Sequence, residues 1–358
     1  MLRSPAAVKA SALDGIETVA YRCILKRSRE VYVHAFLAGI VAALILSMSA
    51  GVAAAKGSGY LFVSNEKDDS VVVIDPTSNK IVKTIATSER PRHLQFNADR
   101  TLIYAACGDG EAIDIIDVAK LAVTGSIDDI EDPEMFDISL DGKYLYISLE
   151  DSGALGILDI DRGEMVATID VGEEPEGVLT APDGKTVYVT SEVANTVHVV
   201  DVERRAVVAN VVTGNRPRRL ALTPDGSALW VSNELAGSVD IIDPKTNAIV
   251  GSVKFEPKGF RPEQVTPVGI TMTTDGKTAF VALGRANHVG VVDVKTRTVE
   301  AYILVGNRAW NGTLSRDNTR LYVANGLSDD ISIIDVADRK VIRSIPVGRV
   351  PHTILIDD

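Results

Sequence analysis

A run of β-branched residues closed by an aspartate, Val71-Val72-Val73-Ile74-Asp75, returns six more times along this chain. The later aspartates are Asp117, Asp159, Asp201, Asp243, Asp293 and Asp335, at intervals of 42, 42, 42, 42, 50 and 42 residues. A fixed period of this size is the signature of a repeat architecture, in which each unit buries its apolar faces against its neighbours. The register runs through the chain and overrides the two-domain expectation that 358 residues would otherwise suggest.

Each repeat carries the same parts at the same distances from its aspartate. Ten residues before it ends an apolar or aromatic run, as in Tyr60-Leu-Phe-Val-Ser-Asn65, Leu229-Trp-Val-Ser-Asn233 and Leu321-Tyr-Val-Ala-Asn325. Sixteen residues after it stands Pro91, Pro133, Pro175, Pro217 or Pro351, with Pro267 following the longer interval and Ala309 the one replacement. Eighteen residues before it, from the second repeat onward, stands another aspartate, and four of these read Asp-Gly. That dipeptide marks a tight hairpin because glycine adopts positive φ freely. Each unit therefore predicts four short strands: one after the proline, the aromatic strand, the Val/Ile-Asp strand, and a last strand such as Lys80-Ile-Val-Lys-Thr-Ile85. The periodic aspartates read as turn formers whose carboxylates accept backbone N–H groups.

Four-stranded units at this period predict an all-β, seven-bladed β-propeller. The ends fit one ring. The first repeat lacks its leading strand, and the chain finishes on His352-Thr-Ile-Leu-Ile-Asp-Asp358, a leading strand with no blade after it. The last strand is expected to complete the first blade and close the ring, hiding sheet edges that would otherwise invite association. The eight extra residues of the longer interval fall within Lys254 to Pro267. Insertions in repeat proteins map to loops on one face, so this one is a surface excursion, a lid or a docking loop.

Residues 1–55 stand outside the repeats. Lys26-Arg27-Ser28-Arg29, an apolar run from Ala35 to Leu46 and Ala53-Ala54-Ala55 form the basic, apolar and small-residue parts of a secretory signal. Cleavage near Ala55 would leave a single propeller domain over 56–358, exported to the periplasm, with no membrane span. The alternative is an uncleaved anchor over 35–55. The segment 1–55 carries six Lys/Arg and three Asp/Glu, leaving 31 basic and 46 acidic residues beyond it. That excess disfavours nucleic acid, whose binding rests on neutralising phosphates. Only Cys107 remains beyond the presequence, so an internal disulfide and a CxxCH haem site are excluded, and it reads as a small buried residue.

The loops before the leading strands and those after the aromatic strands are expected to gather around the channel on one face. The first set holds Arg90, Arg92, His93, Asp132, Glu134, Glu174, Glu176, Arg216, Arg218, Arg219, Arg308, Trp310 and His352; the second begins with Glu66, Glu150, Glu192 and Glu234. This predicts a face split in sign, acidic on two adjacent blades and basic at three other positions. Converging carboxylates suit Ca²⁺ or another hard cation, and the arginines suit an anionic ligand. The plainer expectation is a solvated rim of charges paired across blade seams. His93 and His352 begin leading strands of adjacent blades but lack a third ligand for a metal. His198 and His288 are expected at blade seams. No G-x-S-x-G, H-E-x-x-H or Walker-type loop is present, so no residue is assigned a catalytic role.

The runs Leu-Tyr-Val-Ala-Asn325 and Val-Tyr-Val-Thr-Ser191, with Val-Ile-Asp75 and Pro224-Asp-Gly226, resemble the YVTN family of β-propeller repeats along the whole repeat region. With the secretory segment, the seven repeats and Glu-Pro-Glu-Gly177, the chain looks most like the PQQ-dependent catabolism-associated β-propeller proteins. That resemblance implies an exported protein accessory to quinoprotein alcohol oxidation. It does not imply a quinoprotein dehydrogenase: Trp230 and Trp310 are the only tryptophans and no cysteine pair is present, which argues against binding PQQ itself. Methylamine dehydrogenase heavy chains and nitrous-oxide reductase propellers are similar in architecture, but the copper-binding histidine clusters of the latter are missing. The expected function is a non-catalytic binding or scaffold protein that presents the charged face to a protein partner or small ligand. The alternatives are a propeller lactonase or hydrolase with a metal in the channel, and a cell-surface adhesion protein. Gly177, Gly269 and Thr353 at several leading strands weigh against the ligand ring that a metal-dependent lactonase needs.

Overall fold

The computed structural model describes residues 57–358, so the secretory segment and its cleavage lie outside the described residues. Twenty-eight strands, β1 to β28 in chain order, form seven separate four-stranded antiparallel sheets. The first blade is β28 (Pro351–Ile356), β1 (Leu61–Asn65), β2 (Ser70–Asp75) and β3 (Lys80–Ala86), in that spatial order. The C-terminal strand thus closes the ring, pairing Leu61 with Ile356 and Val63 with Ile354. The other six blades follow one another as four consecutive strands each. Their innermost strands are β4 (Pro91–Phe96), β8 (Pro133–Ile138), β12 (Pro175–Thr180), β16 (Pro217–Leu222), β20 (Ile270–Met272) and β24 (Ala309–Leu314).

The periodic aspartates act as turn formers. A backbone N–H two or three residues on donates to each side chain: Thr77 to Asp75, Lys120 to Asp117, Arg162 to Asp159, Arg204 to Asp201, Lys245 to Asp243, Thr296 to Asp293 and Asp338 to Asp335. Side-chain bonds from Ser78 and Lys120, with these backbone bonds, hold the Asp75 and Asp117 carboxyls below their usual range, and the backbone bonds lead at Asp293 and Asp335. They also fix a turn that needs a left-handed residue four positions on, supplied by Asn79, Leu121, Gly163, Arg205, Asn247, Arg297 and Arg339.

The core is divided among the seams. Seven apolar clusters each join two neighbouring blades. Side chains alternate along a strand, so one strand serves two seams: Leu61 and Val63 face the seventh blade while Phe62 faces the second. The aromatic position of every repeat, namely Phe62, Tyr104, Tyr146, Tyr188, Trp230, Phe280 and Tyr322, packs toward the following blade. Cys107 belongs to the first-to-second seam, and burial raises its thiol well above the ordinary value, which makes it an inert packing residue.

Candidate functional site

The innermost strands begin with a local irregularity that aims side chains into the channel. In blades 2 to 5 the pairing slips just after the proline, as between Pro91 and Leu94 or Pro175 and Val178. Such bulges place two residues opposite one and redirect their side chains. In blades 3 to 5 the N–H freed by the slip finds a hydroxyl from the neighbouring strand of the same blade. Ser148 takes Met135 N–H (3.0 Å), Thr190 takes Gly177 N–H (2.7 Å) and Ser232 takes Arg219 N–H (3.0 Å). Ser148 also donates across the seam to the Glu176 carbonyl (2.8 Å), as Ser64 of the first blade does to that of Arg92 (2.7 Å). Ser64, Ser148, Thr190 and Ser232, at one place in the repeat, thereby tie down the strands that carry the channel residues. The residue before the proline adopts positive φ in five blades, at Arg90, Asp132, Glu174, Arg216 and Val350, as does Arg308 before Ala309. Left-handed backbone is unfavourable for such side chains, and it persists where surrounding structure over-determines it. Here it turns these residues over the channel mouth.

The charges meet rather than remaining split in sign. Arg90 reaches from the second blade to Asp132 (2.9 Å) and Glu134 (2.6 Å) of the third. Arg92 pairs with Glu134, with Glu176 at 3.7 Å. From the other side, Arg218 pairs with Glu192 and stands 3.5 Å from Glu176, Arg219 pairs with Glu176, and Arg216 joins Glu192 (2.6 Å) to Glu234 (3.2 Å). Glu174 stays at the rim, 4.0 Å from Arg216. The solvated rim expected from the sequence is corrected: Arg92, Glu134, Glu176 and Arg218 are each no more than 6% exposed. Deep burial of charge is tolerated only when it is paired.

This packing sets the protonation of the network. Burial opposes the charge on Glu176, but Arg218, Arg219 and Arg92 outweigh it and hold the carboxyl below its usual range. Burial pushes Glu192 up to about 7, against the pull of Arg218 and with the nearby Glu176 adding to the rise. His93 is pushed down to about 3 by burial and by Arg219, and His352 falls well below its ordinary value by burial and by Arg92 and Arg219. Both rings are neutral. A guanidinium only donates, so the bond between Arg219 Nη2 and His352 Nε2 (3.1 Å) makes Nε2 the acceptor. The His352 proton then sits on Nδ1, facing Thr353 Oγ1 at 3.0 Å. His93 packs edge-on against Phe136, with ring centres 4.8 Å apart. His352 is buried and His93 half-buried in the channel wall, a correction to their expected place at the rim. His198 bonds Asn210, and His288 meets Phe260 and Tyr302 edge-on.

Among the described residues, one set of potential ligand atoms converges as a cation site requires: Asp132, Glu134 and Glu150, within 4.8 Å of one another. The Arg90 guanidinium already contacts all three, with Glu150 at 4.0 Å. A divalent cation fits this cluster only after Arg90 has moved away.

A cavity of about 230 Å³ opens at the mouth over blades 7, 1 and 2. Its polar lining is Arg90, Arg92, Arg308, Glu66 and Trp310, and Leu327, Val350 and Pro351 add apolar wall. The guanidiniums of Arg218 and Arg308 lie over the Trp310 ring at 5.0 and 4.7 Å, a cation–π arrangement on both. None of the inserted residues lines this cavity. The insertion packs Phe255 and Val265 into the fifth-to-sixth seam and borders a separate groove of about 490 Å³. Gly177 and Gly269 have seam roles: a Cβ on Gly177 would strike the Arg218 carbonyl, and one on Gly269 would stand 2.8 Å from the Trp310 carbonyl. Sequence reasoning placed the mouth residues together but missed Ser64, Ser148, Thr190 and Ser232, whose signal was their fixed place in the repeat motif.

Residues 203–342 match a family model described as "Lactonase, 7-bladed beta-propeller". No curated protein matches the sequence. Among solved structures, the chain is similar to the Kuenenia stuttgartiensis hydrazine synthase (TM-score 0.71, 20% identity, 79% of this chain and 94% of that one). It is similar to the Pseudomonas aeruginosa periplasmic gluconolactonase PpgL (TM-score 0.70, 19% identity, 84% and 99%). It is also similar to the dihydro-heme d1 dehydrogenase NirN in complex with DHE (TM-score 0.64, 14% identity, 83% and 75%). At such identities these likenesses speak for architecture alone, and the architecture they share with this chain is the β-propeller, here of seven blades.

Proposed function

We propose that this protein is a small-molecule-binding propeller whose ligand site is the channel mouth. The observation that carries this reading is the mouth cavity, where three guanidiniums, one carboxylate and an indole converge on one space. Concave sites with a few converging polar groups on a rigid frame are where proteins bind small ligands. The buried ion pairs beneath, Arg92 with Glu134, Arg218 with Glu192 and Arg219 with Glu176, serve as the frame. Export to the periplasm with cleavage near Ala55, and a role beside quinoprotein alcohol oxidation, complete the proposal. Among the described residues, no helix is long and apolar enough to cross a membrane. The test is a screen of organic anions, sugars, lactones, PQQ and Ca²⁺ by thermal shift and tryptophan fluorescence. A ligand that seats at the mouth changes Trp310 emission, and Trp310→Phe abolishes that change. A screen in which no compound shifts melting or emission refutes the reading.

A second reading, lactone hydrolysis, is favoured by the family-model match, whose span includes Arg216, Arg218, Glu234, Arg308 and Trp310. In it, Glu66 takes a proton from water as the oxygen attacks the lactone carbonyl. The guanidiniums stabilise the developing oxyanion, the ring C–O bond breaks as Glu66 returns its proton to the leaving ring oxygen, and the hydroxy acid formed releases a proton to solvent, leaving a carboxylate and a hydroxyl. This route uses Glu66 and the guanidiniums that line the mouth cavity. Proton release from an aldonolactone, lost in Glu66→Gln with the fold retained, is the supporting result; equal rates with and without protein exclude it.

A further inference from the structure

The mouth cavity is lined by groups whose bonding capacity is unused. Arg92 is buried, and its Nε has no hydrogen-bond partner; the nearest carboxylate oxygen, Glu66 Oε1, is 3.7 Å away. The Trp310 Nε1–H is buried and unpartnered as well. Arg308 has its nearest carboxylate, Glu234 Oε1, at 3.7 Å, and burial with the charges of Arg285 and Arg218 lowers its pKa against the pull of Glu234. Glu66 in turn meets Arg92 only at 3.7 Å, and its other neighbour, His352 at 4.0 Å, is neutral. Buried polar atoms left without partners are uncommon in folded proteins and call for a missing partner.

The chemistry of that partner follows from the donors and acceptors. Guanidinium and indole N–H groups donate and never accept, whereas a carboxylate accepts and never donates. A neutral polyol would leave the cationic side without an anion. A simple carboxylate would satisfy Arg308, Arg92 and Trp310 but would be repelled by Glu66. One ligand that meets both sides carries a carboxylate and, on the same short carbon frame, a hydroxyl. The cavity lies at or below the lower end of the roughly 300–1,000 Å³ typical of ligand pockets, and Leu327, Val350 and Pro351 offer apolar wall for a few carbons. We propose that the mouth binds a small hydroxycarboxylate, its carboxylate on Arg308, Arg92 and Trp310 Nε1 and a hydroxyl donated to Glu66. This inference rests on the reading of the mouth as the ligand site, and it suits both a binding protein and a lactone hydrolase, whose product has this chemistry.

The experiment is calorimetric titration of the purified protein with gluconate, glucose and acetate, on wild type, Arg308→Gln, Arg308→Lys and Glu66→Gln, with melting curves confirming that each variant is folded. The expected result is binding of gluconate at least tenfold tighter than either comparison compound. Arg308→Gln weakens gluconate at least tenfold, and Arg308→Lys less. Glu66→Gln weakens gluconate but tightens acetate, a reversal that simple loss of structure would not produce. Glucose binding as tightly as gluconate, with Trp310 emission responding, overturns the ligand class and leaves the mouth as the site. Gluconate binding unchanged in all variants overturns the assignment of these residues. No binding by any of the three overturns the class alone if another screened compound still moves Trp310 emission, and overturns the mouth reading too if none does.

Discussion

Thr190 Oγ1 accepts the Gly177 N–H at 2.7 Å within its own blade and donates to the Arg218 carbonyl oxygen of the next blade at 2.9 Å. One hydroxyl therefore ties the bulge that presents Glu176 to the strand that presents Arg218. Thr190→Val keeps the shape and removes both bonds, leaving a buried donor and a buried acceptor unpaired. The expected cost is about 1–3 kcal/mol, read from chemical denaturation, with Thr190→Ser close to wild type. A Thr190→Val variant of unchanged stability would show that the seam is held by packing alone.

Glu176 gathers Arg92, Arg218 and Arg219 in the buried part of the channel. Removing one partner of a buried ion network strands the remaining charges, at roughly 3–5 kcal/mol. Glu176→Gln is expected to fall in that range, whereas Glu174→Gln, at the exposed rim, changes stability by less than about 1 kcal/mol. Equal effects at the two positions would contradict the burial contrast between them.

The neutral histidines set the response to acid. The folded-state pKa of His93, about 3, lies below the unfolded value of 6.5, so below pH 6.5 the unfolded chain binds the extra proton and stability falls until about pH 3. His352 acts with the same sign. Glu192 works in the opposite direction: with its pKa pushed up to about 7, it loses stability as pH rises from 4.5 toward 7. At ~1.4 kcal/mol per pH unit, His93→Gln should reduce the stability lost between pH 7 and pH 5 by about 2 kcal/mol, while Glu192→Gln should increase it. Urea midpoints at the two pH values decide the signs.

Arg90 fills the carboxylate cluster of the third blade. Millimolar Ca²⁺ is accordingly expected to leave the wild-type melting temperature unchanged, and Arg90→Ala is expected to gain a Ca²⁺-dependent rise. A wild-type rise that EDTA reverses would show that the arginine yields to the ion.

Strand β28 seals the ring through Ile354, which packs into the seam between the first and seventh blades. Deleting residues 352–358 exposes that seam and costs on the order of 5 kcal/mol of apolar burial, a fall of more than about 10 °C in melting temperature. Full thermal stability in the truncated protein would mean that closure contributes little.

The ring was legible because its determinants are local and repeated. Asp75 and its six counterparts form the same turn from the same short stretch, and the aromatic positions from Phe62 to Tyr322 serve the same seam role. The set of residues at the mouth was legible for the same reason, since position in the repeat fixes the face. What could not be read was whether each charge there would be wet or buried. Arg92 and Arg90 are two residues apart and alike in composition, yet Arg92 is 7% exposed at its side chain and Arg90 20%. The bulge after Pro91 and the left-handed backbone at Arg90 decide this, and both depend on the neighbouring blade. His352 was expected at the rim because its long-range partner, Arg219, lies 133 residues away.

Within the ring, Gly59 N–H meets the Asp357 carbonyl at 2.6 Å and Ser58 N–H meets the Asp357 side chain at 2.6 Å. The two ends of the propeller thus meet beside the pair β1 and β28. A closed circle of near-equivalent blades has no preferred starting point, so the order in which ribosomes deliver them is incidental to the final object. Joining these neighbouring termini by a short linker and cutting instead at an Asp-Gly turn such as Asp183-Gly184 gives a circular permutant that should reach the same ring. Moving the cut from turn to turn offers a way to ask which blade the chain must make first.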